Sequence, residues 1–141
     1  MPKRLKNKTV LITGASGDIG FACAEMCASE GANLILHFFK NKKGVGDFVR
    51  DHPELKISLI NCDATSIAVK KQITKGLKSI KSKRIDVLVN SVGDLIGRKK
   101  FENLDWDFIQ KTIDVNVKSA FLFTRYSRPY MGKGSSIIFI S

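Results

Sequence analysis

The chain has 141 residues, 43% of them hydrophobic and 26% charged, a balance that fits one soluble globular domain with a single core and leaves no room for two. No apolar run approaches the roughly 20 residues of a membrane helix, and no N-terminal segment joins a basic start to an apolar stretch and a cleavage site, so a cytoplasmic protein is expected. The net charge of +11, from 24 basic and 13 acidic side chains, is dispersed and has no zinc-finger spacing or helix-turn-helix cue, which implies a solvated basic surface rather than a nucleic-acid partner.

Short β-branched runs alternate with stretches of helical period, the pattern of strand-helix-strand units in a parallel sheet buried on both faces. The first strand is expected at residues 9–13. A helix follows in which Ile19, Cys23, Met26 and Cys27 recur at helical spacing up to Gly31, so these cysteines read as small core residues. No cysteine pair or cluster has the spacing of a metal site. The second strand spans 33–39, and the next connector is a weak helix with Val45, Phe48 and Val49 on its apolar side and Gly44 and Gly46 against it. The third strand spans 56–62. Thr65 or Ser66 then caps a helix whose apolar face is Val69, Ile73, Leu77 and Ile80. The fourth strand spans 85–90 and a loop covers 92–104. Asp105 opens the longest helix, which presents Trp106, Ile109, Ile113, Val117, Ala120, Phe121 and Thr124 on one side and has Pro129 near its end. The fifth strand spans 136–141.

Right-handed crossovers stack these units into an α/β, Rossmann-like, doubly wound sheet of order 3-2-1-4-5 with helices on both faces. Ligands of such sheets bind where the order reverses, here between strands one and four. Immediately after strand one comes Thr13-Gly14-Ala15-Ser16-Gly17-Asp18-Ile19-Gly20, a glycine-rich turn that leads into a helix. Missing side chains let backbone N–H groups approach a pyrophosphate, and the helix N-terminus favours negative charge. Asp18 would oppose a phosphate unless it turns outward.

This turn resembles the Thr-Gly-x-x-x-Gly-x-Gly fingerprint of the short-chain dehydrogenase/reductase family, with Gly14 and Gly20 in place and Asp18 where the middle glycine falls. Further matches run in order along the chain. Asp63 and Ala64 stand where the family holds adenine, and Asn90, Ser91, Val92 and Gly93 resemble its Asn-Asn-Ala-Gly signature. Asn116 matches the helix asparagine that serves the family's proton relay, and 136–141 resembles the strand that leads to the catalytic serine. The resemblance implies an NAD(P)-dependent oxidoreductase with a small carbonyl or alcohol substrate, no membrane partner, and a homo-oligomer. It also assigns Gly14, Ser16, Gly17, Asp18, Ile19 and Gly20 to the cofactor, with Asn116 as the one catalytic residue present.

No acidic residue ends strand two to take a ribose 2′-hydroxyl. Phe39 and Lys40 lie there, followed by Lys42 and Lys43, which favours NADP over NAD. The family's Tyr-x-x-x-Lys pair does not occur, and Ser141 lies one residue before the expected catalytic serine. Two readings stay open at this point. One is the front part of a longer enzyme, motivated by a stop inside a strand that would leave a bare sheet edge. The other is a catalytically silent nucleotide-binding or interaction module. Phe123 and Tyr126, beside the expected core face of the long helix, are candidate pairing residues.

Overall fold

A computed structural model describes all 141 residues. Five parallel strands, β1 (Thr9–Ile12), β2 (Asn33–Phe38), β3 (Ile57–Asn61), β4 (Val87–Asn90) and β5 (Ser136–Phe139), form one sheet of order β3-β2-β1-β4-β5. The helices between them are α1 (Asp18–Ser29), α2 (Lys43–Asp51), α3 (Ala68–Ser79), α4 (Trp106–Ile113) and α5 (Ser119–Ser127). The expected strands are present, each trimmed at one or both ends, where the ladder stops before the β-branched run does.

Strand alternation divides the core into two layers. Val10, Ile12, Leu34, Leu36 and Val89 face α1 and α2, packing on Ala24, Ala28, Val45 and Phe48. Leu11, Ile35, Ile60 and Leu88 face the other way, onto Val69, Ile73 and Leu77 of α3 and Phe123 of α5. At the bottom of the sheet the buried Asp86 carboxylate accepts the Thr9 N–H at 2.9 Å and the Arg84 Nε at 2.6 Å, joining the starts of β1 and β4.

Two expected helix faces are corrected. α1 buries Gly20, Ala24 and Ala28, not Ile19, Cys23, Met26 and Cys27. Small residues let this helix settle close to the sheet, and the bulkier stripe, displaced by about one residue around the helix, lines an open groove instead. Ile19 and Met26 are 56% and 63% exposed, and the two cysteines are half-buried rather than core thiols. Cys62, by contrast, is buried.

The long helix is not uniform. α4 and α5 are separated by a π-helical turn at Asp114–Lys118 and end in a 3₁₀ turn at Arg128–Tyr130 that contains Pro129. The inward positions are Ser119, Phe123 and Ser127, while Trp106, Val117 and Phe121 are 58% or more exposed. Phe123 is fully buried and belongs to the core, not to a pairing surface, and Tyr126 packs against the same cluster. A wider turn inserts an extra residue, so one 3.6-residue period cannot describe both halves.

A cleft at the carboxyl ends of the strands

The glycine turn leaves the end of β1 at the point where strand order reverses. Gly14 has φ +62°, and a Cβ there would lie 3.0 Å from the Ser91 carbonyl oxygen. At Gly20 a Cβ would come 2.3 Å from the Gly14 carbonyl oxygen, so only glycine lets the first turn of α1 sit against the loop. Thr13 joins this turn to the end of β4: its Oγ1 accepts the N–H groups of Ser91 at 3.0 Å and Val92 at 3.2 Å.

The resulting cleft, about 880 Å³, is lined by Gly14, Ser16, Gly17, Phe39, Lys40, Asp63, Ala64, Ser91, Val92 and Gly93 among the residues singled out from the sequence. Asp18, Ile19, Gly20, Asn90 and Asn116 do not line it. Asp18 turns away, lining the apolar groove between α1 and the sheet and placing an acid in the first turn of its own helix. The amides of Ser16, Asp18, Ile19 and Gly20 nevertheless donate to no acceptor within the protein. Four unpaired N–H groups at a helix start make a ready anion cradle.

The far rim is ordered by Asp63, whose Oδ1 accepts both the N–H and the Oγ1 of Thr65 at 2.8 Å. These hydrogen bonds hold its carboxyl below the usual carboxylate range, with Lys118 and His37 assisting. Asn90 is buried and gives its Nδ2 to Thr124 Oγ1 at 3.3 Å, leaving Oδ1 without a partner. Asn116, on the π-helical turn, accepts the Asp94 N–H at 3.1 Å and returns Nδ2 to the Asp94 carbonyl at 3.0 Å, tying the 92–104 loop to the helix. Lys40 sits over the Phe39 ring, with Nζ 5.5 Å from its centroid. Ser141 is an exposed residue beyond β5.

Sequence reasoning missed His37, Asn41, Thr65, Lys111, Asp114 and Val115, which share the lining with Asp94 and Ile96 of the 92–104 loop. From the sequence, Thr65 offers only a helix cap. For Lys111, Asp114 and Val115 no local signal exists, because their approach depends on how α4 crosses the sheet. His37 was findable: a histidine inside an otherwise apolar strand must satisfy two ring nitrogens.

A family model described as short chain dehydrogenase matches residues 8–141. A 3-oxoacyl-[acyl-carrier-protein] reductase from Thermotoga maritima is 34% identical over 146 residues, covering 98% of this chain and 56% of its own length. Among solved structures, a short-chain dehydrogenase/reductase (glucose/ribitol dehydrogenase) from Brucella melitensis superposes with a TM-score of 0.86 at 30% identity, covering 99% of this chain and 58% of that one. The NADH-dependent reductase A1-R′, complexed with NAD, gives 0.83 at 27% identity over 99% of this chain and 61% of that one. The chain spans little more than half the length of these relatives. No helix is long and apolar enough to cross a membrane. The matched residues include the glycine turn, the sheet of order 3-2-1-4-5 and the cleft between its central strands, and on these grounds the chain belongs to the short chain dehydrogenase family of oxidoreductases.

Proposed function

We propose that these residues form the nucleotide-binding part of a cytoplasmic, NADP-preferring oxidoreductase that reduces a small carbonyl compound, or oxidises the corresponding alcohol, by hydride transfer. The observation that carries the reading is the set of free amides on Ser16, Asp18, Ile19 and Gly20 at the start of α1, next to the cleft wall of Gly14, Ser16 and Gly17. A dinucleotide fits them: its pyrophosphate requires N–H donors at a helix start, and the missing side chain of Gly14 lets this turn sit against the end of β4 beside the cleft.

In this arrangement Asp63 and Ala64 border the adenine, and Phe39 with Lys40 borders its ribose, where the lysine meets a 2′-phosphate. Ser91, Val92 and Gly93 border the nicotinamide end, backed by Asn90. When bound, the nicotinamide supplies or accepts the hydride. Asn116 positions the loop that carries Asp94 and Ile96, both on the cleft wall, and this loop supplies part of the substrate surface. The chain contains no Tyr-x-x-x-Lys pair, so proton donation to the carbonyl is assigned to none of its residues. The exposed face of Trp106, Val117 and Phe121 is the pairing surface of a homo-oligomer.

Fluorescence titration with NADPH and NADH tests the reading. We expect both to bind, NADPH roughly fivefold more tightly, the worth of one exposed charge-assisted contact. Equal or tighter NADH binding overturns the cofactor preference, and binding of neither overturns the nucleotide site.

A further inference from the structure

One buried ionisable group beside the cleft has no part in the reading above. His37, near the end of β2, is 1% exposed, and its ring packs 4.9 Å from the Phe123 ring. Both ring nitrogens are engaged, and their partners fix the tautomer. The Gly14 N–H points at Nδ1 at 3.2 Å, and a backbone amide can only donate. Nδ1 is therefore the bare nitrogen, and Nε2 carries the hydrogen, which it donates to the Cys62 carbonyl at 2.9 Å. The His37 main-chain carbonyl adds a third tie, accepting the Ala15 N–H at 2.8 Å.

These partners belong to the two opposite rims of the cleft. Gly14 and Ala15 begin the turn whose free amides face an anion. Cys62 precedes Asp63, whose carboxylate orders the other rim through Thr65. We propose that His37 is a positioning residue for nucleotide binding: its neutral ring, held in the Nε2–H tautomer, clamps the glycine turn to the Asp63 rim and sets the spacing a dinucleotide must span. This rests on the nucleotide-binding reading above.

The clamp has a built-in dependence on protonation. An imidazolium would present N–H at both nitrogens, so Nδ1 would face the Gly14 N–H donor to donor, and the turn would lose its anchor. Burial holds His37 below the ordinary imidazole range, against smaller opposing effects of the Cys62 carbonyl and Asp63. The charged side chains that share its cleft are Lys40, Asp63, Asp94, Lys111 and Asp114. From the end of β3 come the Cys62 thiol, pushed up to about 11 by burial, and the Asp63 carboxylate, held down by Thr65. Lys118 faces Asp63 from the π-helical turn. The glycine turn contributes no charge, since Asp18 lies on the opposite groove, and α5 contributes the Phe123 ring. The His37 ring is the member of this cluster whose protonation breaks the clamp, and burial moves that event below the ordinary imidazole range. The sign follows from linkage: with the folded value depressed, the clamp is intact above the ordinary imidazole value of about 6.5 and is lost as pH falls through the lower folded value.

Two substitutions separate the ends of the clamp. His37→Asn places an amide oxygen where Nδ1 stood, keeping an acceptor for Gly14 without a titrating ring. His37→Gln reaches the Cys62 carbonyl with its amide nitrogen but leaves the Gly14 N–H unpaired. The measurement is NADPH and NADH affinity from pH 8 to pH 5, with thermal melting of each variant alongside. Each variant keeps one tie and loses the other, so at pH 7.5 we expect both to stay folded and to bind NADPH about fivefold or more weakly than the parent. Protonation of His37, below the ordinary imidazole range, should cost the parent affinity that His37→Asn keeps. The 2′-phosphate, with a second ionisation near pH 6, titrates equally in both and cancels. Parent-like affinity in either variant would overturn the clamp.

Should the parent bind neither nucleotide, the functional reading falls while the clamp is still tested, by ¹⁵N NMR of the histidine rings in the nucleotide-free chain. A pyridine-type Nδ1 and a pyrrole-type Nε2 at pH 7.5, absent from His37→Asn, support it. The opposite tautomer, or a ring averaging between the two, overturns it.

Discussion

β1 and β5 use nearly the same alphabet, Thr-Val-Leu-Ile and Ser-Ile-Ile-Phe, yet every residue of β1 is buried and every residue of β5 is exposed. β1 lies at the centre, paired on both edges, with α1 and α2 over one face and α3 and α5 over the other. β5 is paired only to β4, and on the α1 face Val87, Val89, Ile138 and Ile140 form the floor of an open groove walled by Ile19, Ala22, Cys23 and Met26. A run of β-branched residues therefore specifies a strand in a parallel sheet, but not how many layers lie over it. The same contrast separates the helices: α3 buries the face its sequence indicates, while the long helix leaves Trp106, Ile113, Val117 and Phe121 of its indicated face exposed.

The largest test of this contrast is a pair of truncations. Leu11→Ala, at a fully buried side chain, should cost about 2–5 kcal/mol through lost burial and the cavity left behind, whereas Ile138→Ala should cost under about 1 kcal/mol. Urea unfolding of the two variants measures both, and similar losses would mean that β5 is covered in solution. Next in size is association. Replacing Val117 by Lys together with Phe121 by Glu should weaken self-association by about tenfold or more, as read by sedimentation, with little change in unfolding, because both side chains are exposed. A loss of stability instead would mark this face as part of the core. The smallest effect is expected at Asp18→Gly. Its carboxylate lies on the groove side, so NADPH affinity should change by no more than about twofold, the scale of a screened charge at the surface. Tightening of tenfold or more would place the carboxylate against the phosphates.

Much of the cleft was readable without coordinates because its parts are local. A glycine turn between a strand and a helix is defined by its own backbone, so Gly14, Ser16 and Gly17 fall on the wall as their spacing implies. Phe39, Lys40, Asp63, Ala64, Ser91, Val92 and Gly93 follow because residues just past parallel strand ends must gather on one edge. Strand order was accessible for the same reason, since right-handed crossovers leave few ways to arrange five strands.

The tertiary structure decided what rests on distance between elements. It turned Asp18 out of the cleft while leaving its amide free, moved the buried face of α1 onto Gly20, Ala24 and Ala28, and inserted a π turn that sends Phe123 inward and Trp106 and Phe121 outward. It also joined His37 to Gly14 and Cys62, across 23 and 25 positions of sequence. Period and propensity act over a turn or a strand, whereas the rotation of a helix about its axis and the partner of a buried ring are set by what packs against them. The sequence by itself thus determined which residues gather at the strand ends, and packing decided which of their atoms face the cleft.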